Sequence, residues 1–168
     1  MEPKVSIIMG STSDMPVMEG AARILNDFKI PFEIYALSAH RTPEEVEKFA
    51  RNAASRGIKV IIAGAGMAAH LPGVIAAMTT LPVIGVPIKA SLEGLDSVLS
   101  ILQMPSGVPV ATVGINAAQN AGILAAQIIA TSDPEVSEEL KKFKESLKKK
   151  VVQANEELKN VKYPFKTN

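Results

Sequence analysis

Phe32-Glu33-Ile34-Tyr35-Ala36-Leu37-Ser38-Ala39-His40-Arg41-Thr42-Pro43 passes from residues that favour an extended chain to residues that begin a helix. Phe32 to Ala36 has the β-branched and aromatic content of a short strand. Thr42, Pro43 and Glu45 have the pattern of a helix start, with Thr42 as N-cap, Pro43 in the first helical position and Glu45 closing a capping box. His40 and Arg41 fall between the two, at the carboxyl end of a strand and just before a helix N-terminus. Open parallel sheets hold their ligands at such places.

The same strand-then-helix grammar recurs on both sides. Val5 to Met9 is a short apolar strand, followed by the loop Gly10-Ser11-Thr12-Ser13-Asp14 and a helix with Pro16 in its first turn. Val17, Ala21, Ile24, Leu25 and Phe28 give that helix one buried face. The helix from Pro43 to Arg56 turns Val46, Phe49, Ala50 and Ala53 inward and stops at Gly57. Val60 to Ala63 is a third strand, followed by a loop from Gly64 to His70 and a short helix from Leu71-Pro72-Gly73 to Met78. Val83 to Val86, a helix from about Leu95 to Leu102 and a strand near Val110-Ala111-Thr112 complete the series. Five such alternations predict an α/β fold with a parallel sheet and helices on both faces. The uniformly apolar strands predict burial on both sides.

Asn116 to Ala130 is alanine-rich and apolar nearly all round, which predicts a helix enclosed on all sides. Beyond Asp133-Pro134 the composition turns charged. Val136, Leu140, Phe143, Leu147, Val151, Ala154 and Leu158 form a narrow stripe on a helix of about 24 residues, roughly 36 Å long and more than one small domain needs to cap itself. Lys148-Lys149-Lys150 is read as a solvated face.

Composition narrows the function. The 168 residues suit a single domain, with an α/β part over 1–133 and a terminal helix over 134–160. A net charge of +1 offers no field for nucleic acid or an anionic membrane. There is no cysteine, which removes disulfides, thiolate nucleophiles and Cys-based metal sites. Neither a bilayer-spanning apolar run nor a signal peptide is present, so the expected location is the cytoplasm. With 47% hydrophobic residues but only five Phe, two Tyr and no Trp, burial depends on small aliphatic side chains and on contact with further copies of the chain.

The candidate chemistry lies in the loops. The only two histidines, His40 and His70, both follow predicted parallel strands. An imidazole with an ordinary pKa near ~6.5 suits proton transfer at neutral pH, so His40 is the candidate acid–base group. His70 either lines the same site or orients its loop. Two histidines with no third ligand nearby do not make a zinc site. Gly10 to Asp14 combines backbone amides at a helix start with three hydroxyls, as a phosphate monoester requires, or forms an ordinary capped turn. Asp14 would repel a phosphate and suits ribose hydroxyls instead, while Arg41 supplies positive charge. Gly64-Ala65-Gly66-Met67-Ala68-Ala69 matches a dinucleotide fingerprint but lacks the acidic residue about 20 positions on, and no Gly-Lys-Ser/Thr P-loop exists. A flavin- or nucleotide-binding module is the alternative on this fold.

Gly10-Ser11-Thr12-Ser13-Asp14, Ser38-Ala39-His40-Arg41-Thr42-Pro43, Ala68-Ala69-His70-Leu71-Pro72-Gly73 and Leu95-Asp96-Ser97 with Gln103-Met104-Pro105 occur in this order. Together, over residues 4 to 158, they resemble the 5-(carboxyamino)imidazole ribonucleotide mutases of purine biosynthesis, with the third loop pointing to the mutases rather than to the carboxylases that use free carbon dioxide. The resemblance implies a three-layer flavodoxin-like fold with a five-stranded parallel sheet, assembled as an octamer whose long C-terminal helix lies over a neighbour. It implies that Ser11 and Arg41 hold the substrate phosphate, Asp14 the ribose hydroxyls and His40 the proton traffic, with Ser13, Ser38 and His70 as secondary site residues. It implies a ribonucleotide substrate, trapped carbon dioxide, and neither cofactor nor metal.

Overall fold

The computed structural model describes all 168 residues. Five strands, β1 (Val5–Met9), β2 (Phe32–Ala36), β3 (Val60–Gly66), β4 (Val83–Ile88) and β5 (Ala111–Thr112), pair in parallel in the order β2-β1-β3-β4-β5. The helices are α1 (Met15–Asp27), α2 (Pro43–Ala53), α3 (Leu71–Ala76), α4 (Leu95–Leu102), α5 (Ala118–Ala130) and α6 (Pro134–Leu158). This is the flavodoxin-like three-layer arrangement, whose order reverses between β1 and β3.

Strand alternation divides the core into two layers. Val5, Ile7 and Met9 of β1 and Val60 and Ile62 of β3 pack with α1, α5 and the start of α6. Ile8, Ile61, Ala63 and Ala65 face the other way, onto residues of α2, α3 and α4. Burial on both faces explains why these strands carry no polar alternation. β2 is an edge strand, and its Ile34 and Tyr35 remain partly exposed.

The small residues act where helices meet. A Cβ on Gly122 of α5 would strike Ile24 Cγ2 and lie 3.1 Å from the Ala21 carbonyl oxygen of α1, so only glycine permits that approach. α6 then covers part of α5. Its Val136 and Leu140 are buried, and the Phe143 ring stands edge-on to Phe28 with centroids 5.4 Å apart. Asp133 caps α6 by accepting from the backbone N–H groups of Glu135 and Val136, and pairs with Lys4 at 2.7 Å, which pins the helix start beside β1. Farther along the stripe, Leu147, Val151 and Leu158 are 42%, 71% and 57% exposed, so this half of α6 lacks a partner within its own chain. Lys148, Lys149 and Lys150 are exposed.

Four sequence expectations need correction. Thr42 sits at the N-cap position of α2 but makes no capping bond. Its Oγ1 instead accepts from the Ser38 N–H at 2.9 Å and donates to the Ser38 carbonyl at 3.2 Å, so no capping box forms. α2 ends at Ala53, and a 3₁₀ turn, Ala54–Arg56, leads to Gly57 at φ +89°. Gly64-Ala65-Gly66 belongs to β3 rather than to the loop, paired with Val86-Pro87-Ile88. The small residues suit the close packing there, since a Cβ on Gly64 would strike the flexible end of Met18 and one on Gly66 would lie 3.0 Å from the Ile88 carbonyl oxygen. Finally, α5 begins at Ala118 because Asn116 takes φ +56° and accepts the Lys89 N–H with its Oδ1. Within the single chain, Gln119, Asn120 and Gln127 of α5 are exposed.

Candidate active site

The loops leaving the carboxyl ends of β1, β2, β3 and β4 border one cavity of about 420 Å³. Ser11, Ser13, Asp14, Ser38, His40, Arg41 and His70, the residues singled out from the sequence, all line it. They converge because four parallel strands end on the same edge of the sheet, at the point where its order reverses.

The loop after β1 is held by its own hydroxyls. Ser11 Oγ accepts from the Ser13 N–H at 3.3 Å and from the Ser13 hydroxyl at 2.9 Å, capping a 3₁₀ turn, Thr12–Asp14, that runs into α1. Thr12 does not line the cavity. Burial against the cavity wall raises the Asp14 carboxyl above its ordinary range, while the Ser11 backbone, the Ser13 side chain and the Arg41 charge draw it partly back.

The loop after β2 is braced on the first. Arg41 Nη2 donates to the Gly10 carbonyl at 2.6 Å, and Ser38 Oγ accepts from both the Arg41 backbone N–H at 3.2 Å and Arg41 Nε at 3.3 Å. Ser38 is itself fixed by Thr42. Thr42 is therefore a supporting residue of the site, which its helix-start pattern concealed.

His40 and His70 meet across the cavity. His40 Nε2 and His70 Nδ1 are 2.7 Å apart, and the rings stand edge-to-face with centroids 4.9 Å apart. The loop after β3 reaches this position through Met67, at φ +54°, and through the His70 N–H, which donates to the Ala68 carbonyl at 2.9 Å. The sequence held the two histidines but no sign that they touch. Ala39, Ala65, Ala68 and Ala90 add small apolar surface to the wall. Ala69 does not line the cavity and is buried in the core cluster that includes residues of α2.

The fourth motif is scaffold. Asp96 accepts from the Ser91 hydroxyl and from the Ser97 N–H, and the buried Ser97 hydroxyl bonds the Ile88 and Gly94 carbonyls, which sets the loop carrying Ala90.

A parallel α/β domain with proton-carrying and cationic side chains gathered at its switch point has the build of a small-ligand enzyme. The chain belongs to the AIR carboxylase family, whose model matches residues 4–150. It is 61% identical over 148 residues to an N5-carboxyaminoimidazole ribonucleotide mutase of Pyrococcus abyssi, covering 88% of this chain and 85% of that one. The protein of the same name in Thermotoga maritima is 57% identical over 162 residues, covering 96% of this chain and 95% of its own length. A phosphoribosylaminoimidazole carboxylase of Schizosaccharomyces pombe is 57% identical over 160 residues, which make up only 29% of that longer protein. Among solved structures, Treponema denticola PurE superposes with a TM-score of 0.86 at 34% identity, covering 94% of this chain and 99% of that one.

Proposed function

We propose that the chain is an isomerase of purine biosynthesis, converting 5-carboxyaminoimidazole ribonucleotide to 4-carboxy-5-aminoimidazole ribonucleotide. The observation that carries this is the seating of His40 among a cation, a carboxylate, hydroxyls and small apolar side chains in one cavity. Moving a carboxylate from an exocyclic nitrogen to a ring carbon asks for a site that holds carbon dioxide and for one group that gives and later takes a proton.

His40 as imidazolium protonates the departing carbamate nitrogen as its bond to the carboxylate carbon breaks. Carbon dioxide is held against the alanines of the wall while the ring carbon attacks it. Neutral His40 then removes the proton from that carbon, which returns the imidazolium. Arg41 and Ser11 hold the phosphate, Asp14 accepts from the ribose hydroxyls, and Ser13 and Ser38 keep those groups in place. The exposed half of α6 covers a neighbouring copy of the chain, within an octamer. None of the helices is long and apolar enough to cross a membrane.

The test is incubation with the carboxyamino substrate carrying carbon-13 in its carboxylate, in unlabelled bicarbonate buffer, followed by carbon NMR. The label should appear in the carboxylate bonded to the ring carbon of the product. A product that carries only unlabelled carboxylate would show a carboxylase using free carbon dioxide, and no product would remove the activity.

A further inference from the structure

His70, read from the sequence as lining the site or orienting its loop, makes a hydrogen-bonding contact to the proton carrier, 2.7 Å from Nδ1 to His40 Nε2. Neither ring makes another hydrogen bond within the chain. Heavy-atom positions leave open which nitrogen carries the shared proton, and the chemistry of a base decides between the two cases.

A neutral imidazole has one N–H and one bare nitrogen. If His70 donated from Nδ1, the bare nitrogen of His40 would be Nε2, already occupied, and its outward nitrogen would carry the proton. Such a ring could not take a proton from the substrate without first turning over. If His40 donates from Nε2, its Nδ1 is bare and has no hydrogen-bond partner within the chain, in a residue that lines the cavity.

We propose that His70 is a positioning residue that accepts the His40 Nε2–H through its own bare Nδ1, and so keeps His40 in the tautomer whose Nδ1 gives and takes the substrate proton, an assignment that rests on His40 being the proton carrier proposed above. The Nε2–H bond then persists through the whole cycle. His40 Nδ1 loses its proton to the carbamate nitrogen and regains one from the ring carbon, while Nε2 never changes its bonding. No ring rotation is needed between the two half-reactions, which is the advantage a fixed partner gives an acid–base histidine.

Two variants separate this role from simple packing or direct catalysis. His70→Asn places an amide oxygen close to where Nδ1 stood and can still accept from His40, but cannot serve as an acid or base. His70→Leu fills similar space and accepts nothing. His70→Leu should lower kcat roughly 10- to 100-fold with little change in KM, the usual cost of losing a group that orients another, and His70→Asn should recover most of it. Equal losses in both variants, or none in His70→Leu, would overturn the assignment.

The second measurement does not need turnover. With only two histidines in the chain, nitrogen-15 NMR of histidine-labelled protein above the imidazole titration range, assigned with His40→Asn, reads each ring nitrogen. His40 should show a protonated Nε2 and a bare Nδ1, and the tautomer should become mixed in His70→Leu. A protonated His40 Nδ1 in the parent protein would sink the proposal even if the mutase reaction proceeds. The expected pattern in a protein that does not turn over the carboxyamino substrate would sustain the hydrogen bond and its direction while the activity itself failed.

Discussion

Arg41 Nη2 donates to the Gly10 carbonyl oxygen at 2.6 Å, so a single guanidinium ties the loop after β2 to the loop after β1. The same side chain lines the cavity with Ser11 and Asp14, so the group that braces the two loops is also the one proposed to hold the phosphate. Arg41→Ala should weaken nucleotide binding by about 1.5 to 3 kcal/mol, the usual loss for a charge-assisted hydrogen bond. Calorimetric titration with the nucleotide and its dephosphorylated nucleoside checks this. Equal losses for the two ligands would remove Arg41 from the phosphate site.

Asp14 is a carboxylate maintained against burial. Because its folded pKa lies above the ordinary 3.8, the folded chain binds that proton more tightly than the unfolded chain does. Stability from this group therefore falls as pH rises from 3.8 to the folded value, and the cost stays constant above it. Asp14→Asn should melt at a higher temperature than the parent at pH 7, with the difference shrinking toward and below pH 4. It should also discriminate ribose from 2′-deoxyribose less well. A lower melting temperature at pH 7 would contradict the burial account, and an unchanged sugar preference would contradict the ribose assignment.

The legible and illegible parts of this chain divide along physical lines. β1, β2 and α4 follow from apolar runs and helical spacing, signals that local composition carries. The end of β3 did not, because Gly64 and Gly66 read as loop residues until Met18 and Ile88 are known to press against them. Thr42 likewise has the composition of a cap but spends its hydroxyl on Ser38. Loop membership of the site was readable because consecutive parallel strands must all end on one edge. The contact of His40 with His70 was not, since no local pattern encodes how two loops lean toward each other.

α6 offers a cut that the sequence alone would misplace. Removal of everything after Asp133 would uncover α5, because Val136, Leu140 and Phe143 pack on the domain itself. Truncation after Ser146 instead removes only the exposed part of the stripe, from Leu147 onward. That variant should keep its fold by circular dichroism and sediment as a smaller species than the full chain. An unchanged sedimentation coefficient, after allowance for the lost mass, would show that this half of α6 holds no neighbouring copy.

The Asp133 carboxylate joins the start of α6 to Lys4, and that Lys4 bond, helped by the Val136 N–H, holds its pKa below the ordinary 3.8. A depressed folded pKa means stability fully present above the unfolded value and lost as pH falls through the folded one. Asp133→Ala should lower the melting temperature at pH 7 by roughly 2 to 8 °C, as loss of a helix cap does in a domain of this size. The two proteins should converge once the pH falls below the folded value. A deficit of the same size at pH 7 and pH 2.5 would point to packing rather than to the charged cap.

His40 carries the sharpest prediction, since it is assigned all of the proton transfer while phosphate and ribose are left to Arg41, Ser11 and Asp14. His40→Asn keeps a hydrogen-bonding side chain of similar reach that cannot be protonated near neutrality. The variant should bind the substrate nearly as well as the parent and lose turnover by roughly 100- to 10,000-fold, the range that general acid–base catalysis supplies. Entry of solvent deuterium at the ring carbon of the carboxyamino isomer, when the reaction is run in reverse, should cease with it, because no other group in the cavity is assigned to deliver that proton. Near-parental turnover in His40→Asn would refute the mechanism. So would abolition of turnover by His70→Asn while His40→Asn stays active, in which case the second histidine is the proton carrier and His40 the residue that orients it.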